Sequence, residues 1–333
     1  MKRFLRNLSS DTLLEPLVAE ARALTLRRFG RTMQLFAPMY LSNACVNTCL
    51  YCGFSRPNEI ARRTLNEREL AREMDHLSAE GFRHVLLVSG EDPREASLAY
   101  LERAVRLARE RFSSVSIEVA PLDRGGYRRL LAAGAEGVVV YQEAYDRAAY
   151  ERVHTAGPKR SWENRLNVPE TAAAAGMRRI GIGALLGLAP WRAEIRALAE
   201  HALRLQKVAW KASLTVSLPR LRPAAGGYAP PHPVSDEDLV RIVASLRLLL
   251  PDAGLVLSTR EHAVLRDRLM TAGVTMMSAG SRTEPGGYSK PGEAEGQFEV
   301  SDPRSPAEVA AKLESLGLDP VWKDWDPALS ATS

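Results

Sequence analysis

One motif recurs along this chain of 333 residues: an alanine-rich segment of helical character runs through a glycine into an apolar stretch. Glycine just past a helix end is the usual left-handed cap, and the apolar run behind it suits a strand that is buried on both faces. The motif therefore predicts a repeated βα architecture. Its four copies, built around Gly81, Gly134, Gly176 and Gly273, read LSAEGFRHVLLVSG, LLAAGAEGVVVY, AAAAGMRRIGIG and MTAGVTMMSAG.

The other apolar runs complete a set of eight predicted strands. Eight parallel strands that alternate with helices are typical of a (β/α)8 barrel of the TIM type, and a doubly wound open sheet is the alternative. We expect a single α/β barrel. The strands are predicted at about 34–40, 84–89, 114–120, 137–141, 179–184, 213–218, 254–259 and 274–279.

The segments outside the barrel carry their own signals. A leading helix is predicted over 11–28, and the glycines and prolines of SRTEPGGYSKPGEAEGQ, after the eighth strand, predict an irregular loop placed to cover the barrel mouth. Ser305 and Glu308 form a capping box with proline at the first helical position, which predicts a final helix. We expect an N-terminal helical lead-in (1–33), the barrel (34–300) and a C-terminal extension packed on the barrel (301–333).

The chain is basic, with a net charge of +5 and a pI of about 9.2. Its basic residues are mostly arginines dispersed among nearly as many acids, which is typical of a solvated surface and not of a nucleic-acid interface. No apolar run reaches the length of a membrane span, and the start lacks the apolar stretch of a signal peptide. We expect a cytoplasmic protein with neither nucleic acid nor membrane as a partner.

The three cysteines, Cys45, Cys49 and Cys52, lie within eight residues directly after the first predicted strand. Barrel active sites are built at this end of the strands. An odd, tight cluster excludes a disulfide framework and indicates metal or redox chemistry. Structural zinc normally takes four protein ligands, and this stretch offers no histidine. Three thiolates can instead hold three irons of a [4Fe–4S] cluster and leave the fourth iron open.

The spacing CxxxCxxC, with the aromatic Tyr51 before the last cysteine, resembles the radical S-adenosylmethionine (SAM) superfamily. The resemblance implies a [4Fe–4S] cluster on the three cysteines and SAM chelated to the open iron through its amino and carboxylate groups. It also implies that an electron from the cluster cleaves SAM to a 5′-deoxyadenosyl radical. Tyr51 is accordingly a predicted cofactor-binding residue.

Polar groups at other predicted strand ends agree with this resemblance. Ser89, Gly90 and Glu91 match the Gly-Gly-Glu-type motif that binds the SAM ammonium in that family. Glu143 can accept hydrogen bonds from the ammonium or from ribose hydroxyls. Arg165 lies where relatives place an arginine on the SAM carboxylate.

Two further cofactor-binding candidates have weaker signals. Glu118 lies near the end of the third predicted strand. Ile182 lies between glycines that let the backbone approach a flat adenine, although core packing explains these small residues equally well.

Several longer stretches resemble the 2-iminoacetate synthase family of thiamine (thiazole) biosynthesis, over about residues 15–327. The resemblance implies a lyase that uses the 5′-deoxyadenosyl radical to take a hydrogen atom from the amino group of L-tyrosine, after which the Cα–Cβ bond breaks. The products are 2-iminoacetate (dehydroglycine) and p-cresol. The stretches are MYLSNACVNTCLYCGF, LLVSGE, VVVYQEAYDRAAYERVH, SLPRLRP, LSTRE, EPGGY and GLDPVWKDWD.

The resemblance also implies a substrate site at the strand ends. The tyrosine carboxylate needs a cation, and Arg260 in LSTRE is placed for a bidentate pair. Ser278 adds a hydroxyl, and Tyr40 is expected between the cluster and the substrate amine. Arg220 and Arg222 either contact substrate or SAM or brace the mouth through salt bridges.

Other readings stay open at this stage. A related tyrosine lyase of hydrogenase maturation carries a second cluster on C-terminal cysteines, but no cysteine follows Cys52 here. A tryptophan lyase shares the arginine and serine anchors, and a non-catalytic iron–sulfur or zinc protein is a further alternative; SLPRLRP and VWKDWD are closer to the tyrosine enzyme. Expected partners are L-tyrosine, an external one-electron donor of flavodoxin or ferredoxin type, and thiazole synthase.

Overall fold

Strand β1 (Thr32–Ser42) closes the sheet, because it pairs with β2 (His84–Ser89) and also with β8 (Met276–Ser278). In this computed structural model, which describes residues 1–322, all neighbouring strands from β1 to β8 run parallel and follow one another in chain order. The predicted TIM-type barrel is confirmed, and the open sheet is excluded. The remaining barrel strands are β3 (Ser114–Glu118), β4 (Gly137–Glu143), β5 (Arg179–Ala184), β6 (Ser213–Ser217) and β7 (Gly254–Leu257).

Helices follow most of the strands and cover the outside of the barrel. Two of them precede β1, and the short N-terminal one was not predicted from the sequence. The helices are α1 (Lys2–Asn7), α2 (Leu14–Phe29), α3 (Glu67–Ala79), α4 (Leu98–Arg109), α5 (Arg124–Ala133), α6 (Arg147–Val153), α7 (Trp162–Ala175), α8 (Trp191–Val208), α9 (Asp236–Leu249), α10 (Ala263–Met270) and α11 (Pro306–Ser315).

Side chains of β1 show how the barrel divides its residues. Leu35 and Ala37, which point outward, are fully buried under the helices, whereas the inward-pointing Phe36 and Pro38 are only half-buried. Successive strand residues face opposite sides of a sheet, so this alternation means that the barrel interior is partly open. The described residues line an upper and a lower cavity inside it. The upper cavity is the one lined by Tyr40, Glu118 and Arg260, and the lower cavity is the one lined by His84, Ser114 and Met276. Both are also lined by Phe36, Leu86, Tyr141, Ser217 and Val256.

The C-terminal extension adds a strand that the sequence did not predict. Strand β9 (Asp319–Val321) pairs in parallel with Thr32–Gln34 at the start of β1. Trp322 then packs edge-on against Phe82, with ring centroids 5.3 Å apart. The extension is therefore bound to the amino-terminal end of the barrel, opposite the rim where the cysteines lie.

The predicted helix ends are confirmed by the backbone. The glycines of the four βα copies, at positions 81, 134, 176 and 273, all have φ between 99° and 127°. Only glycine takes such angles without strain. The capping box of α11 is also present, with Ser305 accepting from the amide of Glu308 and the Glu308 carboxylate accepting from the amide of Ser305.

None of the helices in residues 1–322 is long and apolar enough to cross a membrane. The domain boundaries proposed above stay a prediction, although β1 already begins at Thr32.

Replacing Gly176 with alanine is expected to lower stability by about 1–3 kcal/mol, because its φ of 107° is strained for an L side chain. For a domain of this size, this corresponds to a fall in Tm of roughly 2–10 °C, measurable by thermal denaturation followed by circular dichroism.

The matched control for this substitution is Gly125→Ala. Gly125 is exposed in α5, has no positive φ, and an added Cβ would be 3.4 Å from its nearest neighbour, Oδ1 of Asp123. This variant should keep or slightly raise Tm. An equal fall in both variants would contradict the role of the left-handed cap.

Candidate active site

The cysteine loop follows β1 at the rim and is held by backbone hydrogen bonds to the last residue of α6 and to the chain just after it. The amide of Leu50 donates to the carbonyl of Val153 at 3.0 Å, and the amide of Thr48 donates to the carbonyl of Ala156 at 3.1 Å. Cys49 itself forms a β-bridge with His154. The conformation of the loop is thus fixed by main-chain pairing.

The end of β2 touches the same loop from the barrel side. The amide of Gly90 donates to the carbonyl of Ser42 at 2.8 Å, and a Cβ on Gly90 would lie 2.2 Å from the carbonyl oxygen of Ala44. Only glycine permits this approach. The adjacent Ser89 hydroxyl is buried without a hydrogen-bond partner among residues 1–322, which marks a position where a bound ligand would complete the contacts.

The three thiols of this loop are shielded from solvent to different degrees. Cys49 is buried, and Cys45 and Cys52 are half-buried. Amide nitrogens approach two of the sulfurs: Nδ2 of Asn47 is 3.7 Å from Sγ of Cys45, and Nε2 of Gln297 is 3.8 Å from Sγ of Cys52. In the described part of the chain, no three cysteine, histidine or carboxylate side chains are grouped so as to hold a single metal ion.

Tyr51 is oriented by a buried histidine that the sequence analysis did not single out. Nδ1 of His154 lies 2.7 Å from the carbonyl oxygen of Tyr150, and its Nε2 lies 2.8 Å from the Tyr51 hydroxyl. Burial lowers the pKa of His154 to about 3, so the ring is neutral near pH 7. Nδ1 therefore carries the proton and donates it to the carbonyl, and Nε2 accepts from the tyrosine.

The predicted SAM residues Glu91, Glu143 and Arg165 meet in one charged cluster together with Lys159. Arg165 donates from Nη1 to Glu91 at 2.9 Å and from Nε to the carbonyl of Tyr141 at 2.6 Å. Lys159 donates to Glu143 at 2.7 Å. Burial would raise the pKa of Glu143, but Lys159 and Arg165 outweigh it and hold that pKa below its ordinary value. Glu143 is thus ionised, and both carboxylates are paired with a buried cation.

The predicted substrate residues share the upper cavity. The Tyr40 hydroxyl donates to Oε1 of Gln297 at 2.9 Å. The Arg260 guanidinium stacks 3.3 Å above the centre of the Phe298 ring and forms no ion pair with any residue in the range 1–322. Ser278 also lines this cavity. The structure thus brings Tyr40, Arg260 and Ser278 together.

Glu118 lies in the same upper cavity and not in the charged cluster. Its carboxyl group forms no hydrogen bond or ion pair with the described residues 1–322. Burial and the negative charge of Glu143 raise the pKa of Glu118 to about 7. Glu118 is therefore a carboxyl group that can change its protonation state near neutral pH.

Ile182 has a different environment from the other predicted residues. Its side chain is 1% exposed and belongs to the main core cluster, and Ile182 and the flanking Gly181 both line the lower cavity. A role for Ile182 at the adenine stays a prediction.

The two arginines of the SLPRLRP stretch brace the mouth, which was the second of the two readings from the sequence. Arg220 and Arg222 both donate to Oε2 of the buried Glu261, Arg222 at 2.9 Å. Arg220 also pairs with Asp236 at 2.8 Å. Their guanidinium groups are thus engaged with protein carboxylates.

The loop after β8 is irregular, as predicted, and it lies across the rim. The Tyr288 hydroxyl donates to the carbonyl of Pro38 at 2.7 Å, and the amides of Tyr288 and Ser289 donate to Glu73 of α3. The carbonyl of Gln297 accepts from the amide of Gly53 at 3.0 Å. This loop therefore connects the substrate cavity to the cysteine loop. The rest of the GLDPVWKDWD stretch, residues 323–326, lies outside the described residues.

Four residues of the site were missed by sequence reasoning: Asn47, His154, Lys159 and Gln297. Asn47 lies inside the cysteine motif, so its position was a signal that could have been used. The other three reach the cysteine loop only through the tertiary structure, and no local spacing marks them.

Two family profiles and a curated relative match this chain. The Radical SAM superfamily profile matches residues 39–201, and the Biotin and Thiamin Synthesis associated domain matches residues 217–319. The chain is 44% identical to 2-iminoacetate synthase of Escherichia coli (strain K12) over 321 residues, which is 96% of this chain and 85% of that protein.

Two solved structures of HydG, a maturase of the [FeFe]-hydrogenase, have the same fold over 96% of this chain. One aligns with a TM-score of 0.91 at 33% identity over 71% of its own chain. The other, from Carboxydothermus hydrogenoformans, aligns with a TM-score of 0.90 at 37% identity over 75% of its chain.

The closed parallel barrel with a three-cysteine loop at its rim defines a radical SAM enzyme. Within that class, the 44% identity to the E. coli enzyme over nearly the whole chain identifies the family. The chain belongs to the 2-iminoacetate synthase family.

Gly90→Ala is expected to displace the cysteine loop, because the added Cβ would lie 2.2 Å from the Ala44 carbonyl oxygen. Iron and sulfide bound per chain after anoxic reconstitution should fall by at least half, while Gly125→Ala keeps the wild-type content. Undiminished iron in the Gly90 variant would contradict the close approach described here.

Proposed function

We propose that this protein is a radical SAM lyase that cleaves the Cα–Cβ bond of L-tyrosine to give 2-iminoacetate and p-cresol for thiazole biosynthesis. One observation carries the proposal. The amide nitrogen of Gln297 lies 3.8 Å from the Cys52 sulfur, and its Oε1 accepts from the Tyr40 hydroxyl, which lines the cavity that also contains Arg260. A cluster site and an amino-acid site are therefore one side chain apart.

The residues at the rim fit a [4Fe–4S] cluster and SAM. Three thiols on one loop leave one iron of a cubane open, and amide nitrogens near two sulfurs are suited to tune such a cluster. When bound, the two groups supply one-electron reduction and hydrogen-atom abstraction.

The contacts available to SAM are those of the end of β2 and of the charged cluster. The unpartnered Ser89 hydroxyl and the close-packed Gly90 would receive the ammonium of its methionine part. Arg165 would hold the carboxylate, and Glu143 would hold the ribose hydroxyls. Tyr51, fixed by His154, is placed to contact the cofactor beside the cysteines.

The chain positions the amino acid through charge. Arg260 has no carboxylate partner among residues 1–322, so its guanidinium is available for the bidentate pair that a substrate carboxylate offers. The Ser278 hydroxyl lines the same cavity and adds a hydrogen bond. The loop across the rim and the closed barrel wall exclude water and hold the substrate at a fixed distance from the radical source, which is what radical chemistry requires.

The reaction needs partners outside the chain. An external one-electron donor of flavodoxin or ferredoxin type would reduce the cluster, and thiazole synthase would receive the reactive imine. Three unpaired thiols fit a cytoplasmic location, since oxidising compartments favour disulfides.

Anoxic incubation of the reconstituted protein with SAM, a reductant and L-tyrosine should yield p-cresol and 5′-deoxyadenosine together. Mass spectrometry of parallel reactions with tyrosine and tryptophan tests the substrate. Products from tryptophan alone would make the tyrosine assignment wrong. A protein that binds about one zinc and no sulfide would contradict the enzyme as a whole.

Arg260→Ala is expected to raise KM for tyrosine roughly 10- to 100-fold, because a hydrogen-bonded charge pair contributes about 1.5–3 kcal/mol. Formation of 5′-deoxyadenosine without tyrosine should be unchanged, since this residue does not contact the cysteine loop. The control is Arg128→Ala, which removes an exposed arginine of α5. An unchanged KM in the Arg260 variant would mean that the substrate carboxylate binds elsewhere.

A further inference from the structure

The proposed reaction has a proton to remove as well as a hydrogen atom. An amino acid enters as an ammonium with three N–H bonds, and a neutral imine product keeps one of them. One N–H hydrogen leaves as an atom, so the other leaves as a proton. A base next to the substrate nitrogen is therefore needed, and general bases are typically placed within hydrogen-bond reach of the proton they accept.

The carboxylates of the charged cluster cannot serve as this base. Glu91 is occupied by Arg165 and by Nδ2 of Asn47 at 2.8 Å, and Glu143 is occupied by Lys159. Lys159 and Arg165 hold the pKa of Glu143 below its ordinary value, which weakens its tendency to take up a proton. Glu118 differs, since its carboxyl group has no hydrogen bond or ion pair with any of the residues described.

The position of Glu118 matches the charge distribution of an amino acid. Glu118 ends β3 and Arg260 follows β7, and these two strands lie four places apart in a barrel of eight. The two side chains therefore line opposite walls of the upper cavity. A zwitterion between them would direct its carboxylate to the arginine and its ammonium to the glutamate.

The neighbours of Glu118 keep its charge adjustable. Burial has the largest effect on the pKa of Glu118 and, together with the negative charge of Glu143, raises it to about 7. A base of this pKa suits catalysis near neutral pH. The ionisable groups that interact electrostatically with Glu118 come from several elements. These groups are Tyr40 on β1, Tyr141 and Glu143 on β4, Lys159 between α6 and α7, Arg165 on α7, and Arg260 after β7.

Resting on the proposed function, we propose that Glu118 binds the ammonium of the substrate amino acid and accepts one of its protons. In this step one N–H bond of the ammonium breaks and one O–H bond forms on the carboxylate. Both groups become neutral, and the nitrogen gains a lone pair before its hydrogen atom is removed. This role differs from the SAM contact expected from the sequence.

The test compares wild type with Glu118→Gln, which keeps the size of the side chain but cannot accept the proton. At pH 7 the variant should lose about 100- to 10,000-fold in kcat/KM for tyrosine. The pH profile separates a base from a structural residue. Wild-type kcat/KM should fall as pH falls through about 7, because protonated Glu118 cannot act. In the variant this acidic limb of the pH profile should be absent, and kcat/KM should rise only at the higher pH where the ammonium of the free substrate loses its proton.

Two controls keep the outcomes distinct. Glu118→Asp should retain the pH limb with a reduced rate, which excludes a general folding defect. Iron content and tyrosine-independent formation of 5′-deoxyadenosine, with its KM for SAM, should be unchanged in Glu118→Gln.

Several results would overturn the role of Glu118. Unchanged kinetics and pH profile in Glu118→Gln would do so. A raised KM for SAM, or loss of tyrosine-independent SAM cleavage, would instead assign the residue to the cofactor. If wild type forms no p-cresol from tyrosine, the proposed function fails first; if it does and the pH limb persists in the variant, only the present inference fails.

Discussion

Closure of the sheet at β1 is the constraint on which the site depends. Because β1 pairs with both β2 and β8, the carboxyl ends of all eight strands form one rim. Residues that are far apart in the chain, such as Tyr40, Glu118 and Arg260, then line a single cavity. The same strand continues directly into the cysteine loop, so the cluster site and the substrate site are built on one continuous element.

Charge pairing at the rim is the second requirement. Glu91, Glu143, Lys159 and Arg165 are almost wholly removed from solvent, with side chains 7–13% exposed. Removing one member of such a buried set leaves its partner unpaired and typically costs about 3–5 kcal/mol. The cluster thus holds the cysteine-loop segment in place, since the amide of Lys159 also donates to Oδ1 of Asn47. Glu118 stands apart from this cluster, because its carboxyl group forms no ion pair with any of residues 1–322.

The fold was largely predictable because its signals are local and repeated. The glycine caps and apolar runs placed the strands within a few residues of their observed ends. Strand β9 escaped because three residues, Asp319–Val321, carry no periodicity and gain their conformation only by pairing with β1. The cysteines and the strand-end residues were found because spacing and position at strand ends are visible in a sequence. Gln297, Lys159 and His154 were not found, because their contacts with the cysteine loop arise from tertiary packing. Glu118 was found, but the side chains that surround it could not be predicted from the sequence.

The central claim is that tyrosine loses a hydrogen atom from an exchangeable position while its Cα–Cβ bond breaks. The most direct measurement is a turnover in D₂O, with tyrosine pre-equilibrated so that its N–H hydrogens are replaced by deuterium. The account predicts 5′-deoxyadenosine that carries one additional deuterium, formed together with p-cresol. Undeuterated 5′-deoxyadenosine formed alongside p-cresol, or deuterated 5′-deoxyadenosine without any p-cresol, would contradict it.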